Sequence, residues 1–420
     1  MRCYNTSEIR HVIRFRKEGF IMGWHSITLQ TLAANSFKKN RDRVFGKFEE
    51  QEITYMELDR EANRLANAAI SKGLHPGDRV GILVSNSLEF VVIYFGLLKA
   101  GLTVVALNDL LGEREASFIL ADSGVKMAFV GPLFMEKIVQ LKPELPELKT
   151  VVAVHCEAPQ GFTSWEDFKQ GHPITDPSFN VGPEDEAIII YTGGTTGIPK
   201  GVVHSQEGLV FNIAQHCMEF NWNENEKILL MTPLAHAAGL IMMVGMVKGA
   251  THVIEKWFNP VRALELIQNE KITLTMMVPT IIYVLLDMLK QQPFDVSSLT
   301  TILYGAAPIT EKRLAEALEV FGPIMRQAYG QTECPNLITT LTPGDHLKAV
   351  DNPGILGSCG RPVHLASLVI LDTEGNEAAI GQPGEIAIKS PCIMKGYNKK
   401  PEATKAAFNK DGWLMTGDMG

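Results

Sequence analysis

The 420-residue chain has no CxxC pair, no uninterrupted apolar run of membrane-spanning length and no excess of basic charge. Six cysteines, Cys3, Cys156, Cys217, Cys334, Cys359 and Cys392, are too scattered for a disulfide scaffold and read as reduced thiols of a cytoplasmic protein. The most apolar stretches are Phe90 to Leu107, broken by Lys99 and Gly101, and Leu240 to Val247, bounded by Gly239 and Lys248. Neither reaches the roughly 18 to 20 continuous apolar residues of a membrane helix. Lysine and arginine total 39 against 47 acidic residues, a net charge of −8, so a polyanion-binding surface and a nucleic-acid partner are not expected. Repeats and low-complexity tracts are absent. Residues 1–21 carry Arg2, Arg10, Arg14, Arg16 and Lys17, but Glu8 and Glu18 interrupt them and no apolar signal core follows. They are expected to be a dispensable leader, with Met22 as the alternative start.

What is present is the composition of a globular protein, 45% hydrophobic and 20% charged, on a chain long enough for several packed subdomains. Leu58, Leu65, Ala69 and Ile70 recur at helical spacing between Thr54 and Ile70, and Gly73 marks a stop. After Pro76-Gly77-Asp78 a strand is expected over Arg79 to Val84, a helix to about Lys99 and a strand over Thr103 to Leu107. Short connections of this kind favour a parallel sheet, extended by Met127 to Val130 and Thr150 to Val154. Asn180 to Glu186 reads as a linker before an apolar strand, Ala187 to Tyr191. A second alternation follows, with strands at Ile228 to Met231, His252 to Glu255, Leu274 to Val278 and Thr301 to Tyr304, and helices at Val261 to Gln268 and Glu311 to Val320. From Gly354 short β segments take over, at Ser367 to Leu371 and Gly384 to Lys389. The expected division is therefore 22–185 and 186–353 as two α/β subdomains, and 354–420 as a small β subdomain.

The segment with the clearest chemistry is Tyr191-Thr192-Gly193-Gly194-Thr195-Thr196-Gly197-Ile198-Pro199-Lys200-Gly201, directly after an apolar strand. Gly193, Gly194 and Gly197 let backbone N–H groups approach a phosphate, the threonine hydroxyls add donors, and Lys200 adds positive charge. It is not a Walker A loop, because no Gly-Lys-Ser/Thr stands at the required spacing and Pro199 sits where that helix would open. An ordinary surface loop is the alternative.

Together with Ile53-Thr54-Tyr55-Met56-Glu57-Leu58, Leu98-Lys99-Ala100-Gly101, Tyr304-Gly305-Ala306-Ala307-Pro308, Tyr329-Gly330-Gln331-Thr332-Glu333 and Thr416-Gly417-Asp418, this loop resembles the adenylate-forming superfamily. That superfamily includes acyl-CoA synthetases, luciferases and the adenylation domains of peptide synthetases, and the resemblance runs from about residue 25 to the end. It implies an α/β fold of two sheet-and-helix subdomains plus a small β subdomain, with the active site where the three meet. It also implies ATP, Mg²⁺ and coenzyme A as cofactors. Glu333 would hold the Mg²⁺, Thr332 would contact the α-phosphate, and Asp418 would accept the ribose hydroxyls. Tyr329, Gly330 and the Gly305, Ala306 and Ala307 backbone would line the adenine slot.

The reaction so implied is attack of a carboxylate on the α-phosphorus of ATP, giving acyl-AMP and pyrophosphate, then transfer to coenzyme A. Lys200, Mg²⁺ and backbone N–H groups would neutralise the meeting anions. Pro233-Leu234-Ala235-His236-Ala237-Ala238-Gly239 resembles the region lining the acid pocket, which puts His236 between acid and α-phosphate. No aspartate stands there to pair an α-ammonium, which disfavours amino acids. Met242, Met243, Ala328 and Asn336 complete the expected pocket, suited to a fatty acid, with a benzoate-like acid or a carrier-protein acceptor as alternatives. Relatives of this kind carry a further small lid domain with a catalytic lysine, so without one, weak adenylation is expected. Homodimers are common in such a family, but nothing in this sequence signals one.

Overall fold

The computed structural model describes residues 27–108, 111–177, 179–192, 199–349 and 351–420. Two large sheets face each other across a layer of helices, with further helices on their outer faces. The first sheet runs, in spatial order, Gly396–Tyr397, Gly201–Ser205, Glu186–Tyr191, Thr103–Ala106, Arg79–Leu83, Met127–Val130, Thr150–Ala153, Thr163–Ser164. The second runs Arg361–Pro362, Cys334–Leu341, Met325–Gln331, Thr301–Gly305, Leu274–Met277, Lys227–Leu230, Thr251–Ile254, Val44–Phe48, Gln51–Thr54. Both are mainly parallel with antiparallel edges.

The apolar strands explain this layering, because a parallel strand buried on both faces needs side chains that tolerate burial in alternation. Met127 and Phe129 point to the central layer and Ala128 and Val130 to the outer one. In the second sheet Ile228 and Leu230 face the centre, and Leu229 and Met231 the opposite outer core. The central layer contains the helices Leu29–Lys39, Tyr55–Ser71, Leu88–Lys99, Gln206–Glu219 and Ala237–Lys248. Thr54 starts the second of these with a capping box: its hydroxyl accepts from Glu57 N at 3.2 Å, and the Glu57 carboxylate accepts from Thr54 N at 2.8 Å. A third, antiparallel sheet of Ser367–Leu371, Glu385–Lys389 and Leu414–Met419 packs Ile386, Ile388 and Leu414 against Val202, Cys334 and Ile338. Among the described residues no helix is long and apolar enough to cross a membrane.

The sheets do not divide where the chain was expected to divide. The strand Glu186–Tyr191, expected to open the second subdomain, pairs with the first sheet through Val104 and Ile188, and Gly201–Ser205 follows it there. Conversely the hairpin 44–54 joins the edge of the second sheet, with Gly46 opposite His252. Tyr397, beyond residue 354, pairs with Val202 of the first sheet. Hydrogen-bonding needs of edge strands, met by distant segments, override chain order here.

Candidate active site

The strand Met325–Gln331 forms the spine of the site. It lies parallel to Thr301–Gly305, with Gly305 opposite Ala328, and turns back into Cys334–Leu341 through a register shift between Tyr329 and Gln331. Gly305 is required by proximity: a Cβ there would stand 2.1 Å from the Ala328 carbonyl oxygen. The next residue, Ala306, holds φ at +64°, a left-handed conformation that costs an L-residue on the order of 1 kcal/mol. These bends open a cavity of about 700 Å³, lined among others by Gly305, Ala306, Ala307, Ala328, Tyr329 and Asp418. Gly330 also lines it, so all the expected adenine-slot residues meet in one space, and Ala328, expected in the acid pocket, joins them.

Asp418 reaches this cavity from the small sheet. Its Oδ2 accepts from Tyr329 Oη at 2.7 Å and from Gln331 Nε2 at 2.8 Å, and the same amide donates to the Thr416 carbonyl at 2.7 Å. Burial, then the neighbouring carboxylate, push the Tyr329 phenol up, so it remains a proton donor at neutral pH. Asp418 Oδ1 makes no hydrogen bond among the described residues.

Glu333 and Lys200 converge at the other end of the motif. Glu333 Oε1 accepts from Tyr397 Oη at 2.7 Å, and its carbonyl accepts from Met394 N at 2.8 Å. The Lys200 ammonium lies 4.7 Å from the centre of the Tyr397 ring. Thr332 is fixed through its backbone: the buried His204 Nε2 lies 2.9 Å from the Thr332 carbonyl. A carbonyl only accepts, so the His204 proton sits on Nε2, and burial lowers the imidazole pKa to about 4.

Gly193, Gly194, Thr195, Thr196 and Gly197 of the expected phosphate loop lie outside the described residues. Its two ends are clamped together, with Thr192 N donating to the Lys200 carbonyl at 3.0 Å. Tyr191 Oη donates to Asp122 at 2.6 Å, and Asn398 Nδ2 donates to the same carboxylate at 3.0 Å. No cluster of three or more potential metal ligands occurs among the described residues. The arrangement fits Mg²⁺ all the same, because that ion takes one or two carboxylates and completes its shell with water and phosphate oxygens. Glu333 would offer one such carboxylate, whose Oε2 makes no hydrogen bond among the described residues.

The acid side is built differently. His236 precedes the helix Ala237–Lys248, burial lowers its pKa, and its ring makes no hydrogen bond among the described residues. Asn336 reaches the same turn, its Nδ2 lying 3.5 Å from the Ala237 carbonyl. Met242 and Met243, expected to line the pocket, are instead wholly buried in the central core, where Met243 Sδ meets the Tyr94 hydroxyl at 3.8 Å. Their helix is apolar on all sides because it lies between two sheets, so its methionines face packing rather than a cavity. A mostly apolar cavity of about 500 Å³ does open beside Pro233 and Ala235, walled by Phe90, Leu107, Met231 and Trp257, with Lys256 the one charged residue among the described residues that line it.

Sequence reasoning missed three residues that hold the site. Gln331 stood inside a recognised motif without a role. His204 and Tyr397 gave no signal, because their partners, Thr332 and Glu333, lie far away in sequence.

The AMP-binding enzyme family matches residues 33–398. A medium/long-chain-fatty-acid–CoA ligase of Mycobacterium tuberculosis is 32% identical over 398 residues, covering 92% of this chain and 68% of that protein. A 4-coumarate–CoA ligase of Narcissus pseudonarcissus is 30% identical over 412 residues, covering 94% of this chain and 72% of its own. Among solved structures, a putative long-chain-fatty-acid CoA ligase from Rhodopseudomonas palustris superposes with a TM-score of 0.84 at 25% identity, covering 95% of this chain and 97% of that one. With the residues expected to line an adenine slot gathered in one cavity that Asp418 also lines, this chain belongs to the AMP-binding enzyme family.

Proposed function

We propose that the protein activates a carboxylic acid with ATP, forming an acyl-adenylate, and passes the acyl group to coenzyme A. The observation that carries this reading is the placement of Asp418, Tyr329 and the Gly305 to Ala307 backbone around one cavity, with Glu333 and Lys200 at its motif's end. In this reading Asp418 takes the ribose hydroxyls on Oδ1, its other oxygen being held by Tyr329 and Gln331. Adenine lies along the backbone of Gly305, Ala306 and Ala307. Thr332 and Lys200 stand by the α-phosphate. Glu333 would hold Mg²⁺, which supplies charge neutralisation where the two anions meet. His236, without a competing hydrogen bond, faces the acid and the α-phosphate.

The acid in this reading carries an uncharged body. The described residues lining the cavity beside Pro233 and Ala235 are mostly apolar and include no carboxylate, which supports an acid without an α-ammonium. A fatty acid of medium or longer chain is the favoured substrate and a benzoate-like acid the second; the relatives include a medium/long-chain-fatty-acid–CoA ligase and a 4-coumarate–CoA ligase.

Thermal unfolding with non-hydrolysable acyl-adenylate mimics bearing alkyl, benzoyl or aminoacyl groups tests this. A ligand at a hundredfold its dissociation constant stabilises by about 2.7 kcal/mol. Stabilisation by the alkyl mimic above the others is expected. Preference for the benzoyl mimic would move the assignment to aryl acids, and no shift with any mimic would refute the reading.

A further inference from the structure

The Lys200 ammonium and the Glu333 carboxylate both touch Tyr397, yet among the described residues they form no ion pair with each other or with any other group. A lysine and a glutamate so placed would ordinarily pair, and each would then be neutralised before any ligand arrived. The phenol intervenes. Its hydroxyl holds Glu333 Oε1 at 2.7 Å, and its ring face takes the ammonium at 4.7 Å. We propose that Tyr397 is a positioning residue that keeps Glu333 and Lys200 apart and aimed, the carboxylate toward the cation and the ammonium toward the phosphates. This rests on the nucleotide-binding reading above.

The backbone around Tyr397 is fastened in a way that suits such a role. Gly396 and Tyr397 pair with Val203 and Val202, next to the phosphate loop's second end, and Asn398 N donates to the Gly201 carbonyl at 2.7 Å. Tyr397 N donates to Thr404 Oγ1 at 2.9 Å, and Met394 N donates to the Glu333 carbonyl at 2.8 Å. Gly396 takes φ +153° with Thr404 so close that a Cβ would stand 2.8 Å from its methyl. The short segment thus joins the phosphate-loop strand to the Glu333 turn, with the phenol at the junction.

The test is calorimetric titration of ATP into the full chain over a range of MgCl₂ concentrations, for wild type, Tyr397→Phe and Tyr397→Leu. An octanoyl sulfamoyl-adenosine titration runs in parallel, since that ligand has no β- or γ-phosphate to call for the cation. Freed from the hydroxyl, Glu333 turns to Lys200, so Tyr397→Phe should raise the half-saturating Mg²⁺ for ATP binding about fivefold to tenfold. The affinity for the sulfamoyl-adenosine should fall by less than that for ATP, since it meets only the Lys200 part of the change. Tyr397→Leu, which also loses the ring, should in addition weaken ATP binding at saturating Mg²⁺. An unchanged or lowered Mg²⁺ requirement in Tyr397→Phe would overturn the proposal, as would an equal loss of both ligands, the mark of a merely structural role. Failure of wild type to bind either ligand would overturn the nucleotide-binding reading itself.

Discussion

On the side proposed for the nucleotide Asp418 takes hydrogen bonds from Tyr329 and Gln331, and Glu333 takes one from Tyr397. On the side proposed for the acid the His236 ring has no such partner among the described residues, and the neighbouring cavity is mostly apolar. The difference follows from what each ligand offers. Ribose and phosphates present fixed donors and acceptors, so groups already held in place lose little entropy on binding them. An acyl body presents surface, which is selected by shape and burial, and shape is set by many weak contacts. Recognition on one side is therefore concentrated in a few residues and on the other spread over a wall.

The sharpest way to break this contrast is to remove a concentrated residue. Asp418→Ala deletes the carboxylate expected to bind ribose and leaves Tyr329 without its partner, whereas Gln331 keeps the Thr416 carbonyl. Losing charge-assisted bonds of about 1.5 to 3 kcal/mol each should weaken an acyl-adenylate mimic on the order of a hundredfold in calorimetry. Asp418→Asn should lie between. If either variant bound within about twofold of wild type, the pre-set hydrogen bonds would be structural only and the contrast would fail.

Met242 tests the other side, since a residue expected to line the acid pocket lies buried in the central core. Being fully buried between the sheets, it should behave as core: Met242→Ala should cost about 2 to 5 kcal/mol in denaturant unfolding and leave the order of preference among acyl mimics unchanged. A change in chain-length preference with little loss of stability would return Met242 to the pocket and widen the acid side.

The burial of Met242 shows where the sequence was legible and where it was not. Helix Tyr55–Ser71 could be read from its periodicity and Thr54, and strands such as Met127–Val130 from runs of apolar residues, because these signals are local. Helix Ala237–Lys248 is apolar all round, so periodicity carries no information on which residues face a cavity. The placement of the hairpin 44–54 beside Thr251–Ile254, and of Gly396–Tyr397 beside Gly201–Ser205, was illegible for another reason. Both are pairings across some two hundred residues, for which no local pattern exists. The motif residues Glu333 and Asp418 were legible through resemblance, but the residues that aim them, His204, Gln331 and Tyr397, became visible only through their partners in space.

The smallest effect compares the histidines of the two sides through pH. Burial lowers the folded pKa of His204 to about 4, against an ordinary value near 6.5, whereas His236 is lowered by the same cause without a backbone partner. Below about pH 6.5 the unfolded chain takes up a proton at His204 that the folded chain refuses, so unfolding is favoured as pH falls. The stability is complete above that value, declines between about 6.5 and about 4, and is then level, because both states are protonated. Between pH 7.5 and 5.5 one such group costs about 1.4 kcal/mol. His204→Gln, which keeps a donor for the Thr332 carbonyl but cannot titrate, should lose that much less than wild type over the interval in urea unfolding. The buried His216 and His252, also lowered to about 4, titrate in both proteins and cancel in the difference. His236→Gln should flatten the profile in the same direction but less steeply. Equal flattening in the two variants would mean that the deeper burial of His204 does not set the difference between the two histidines.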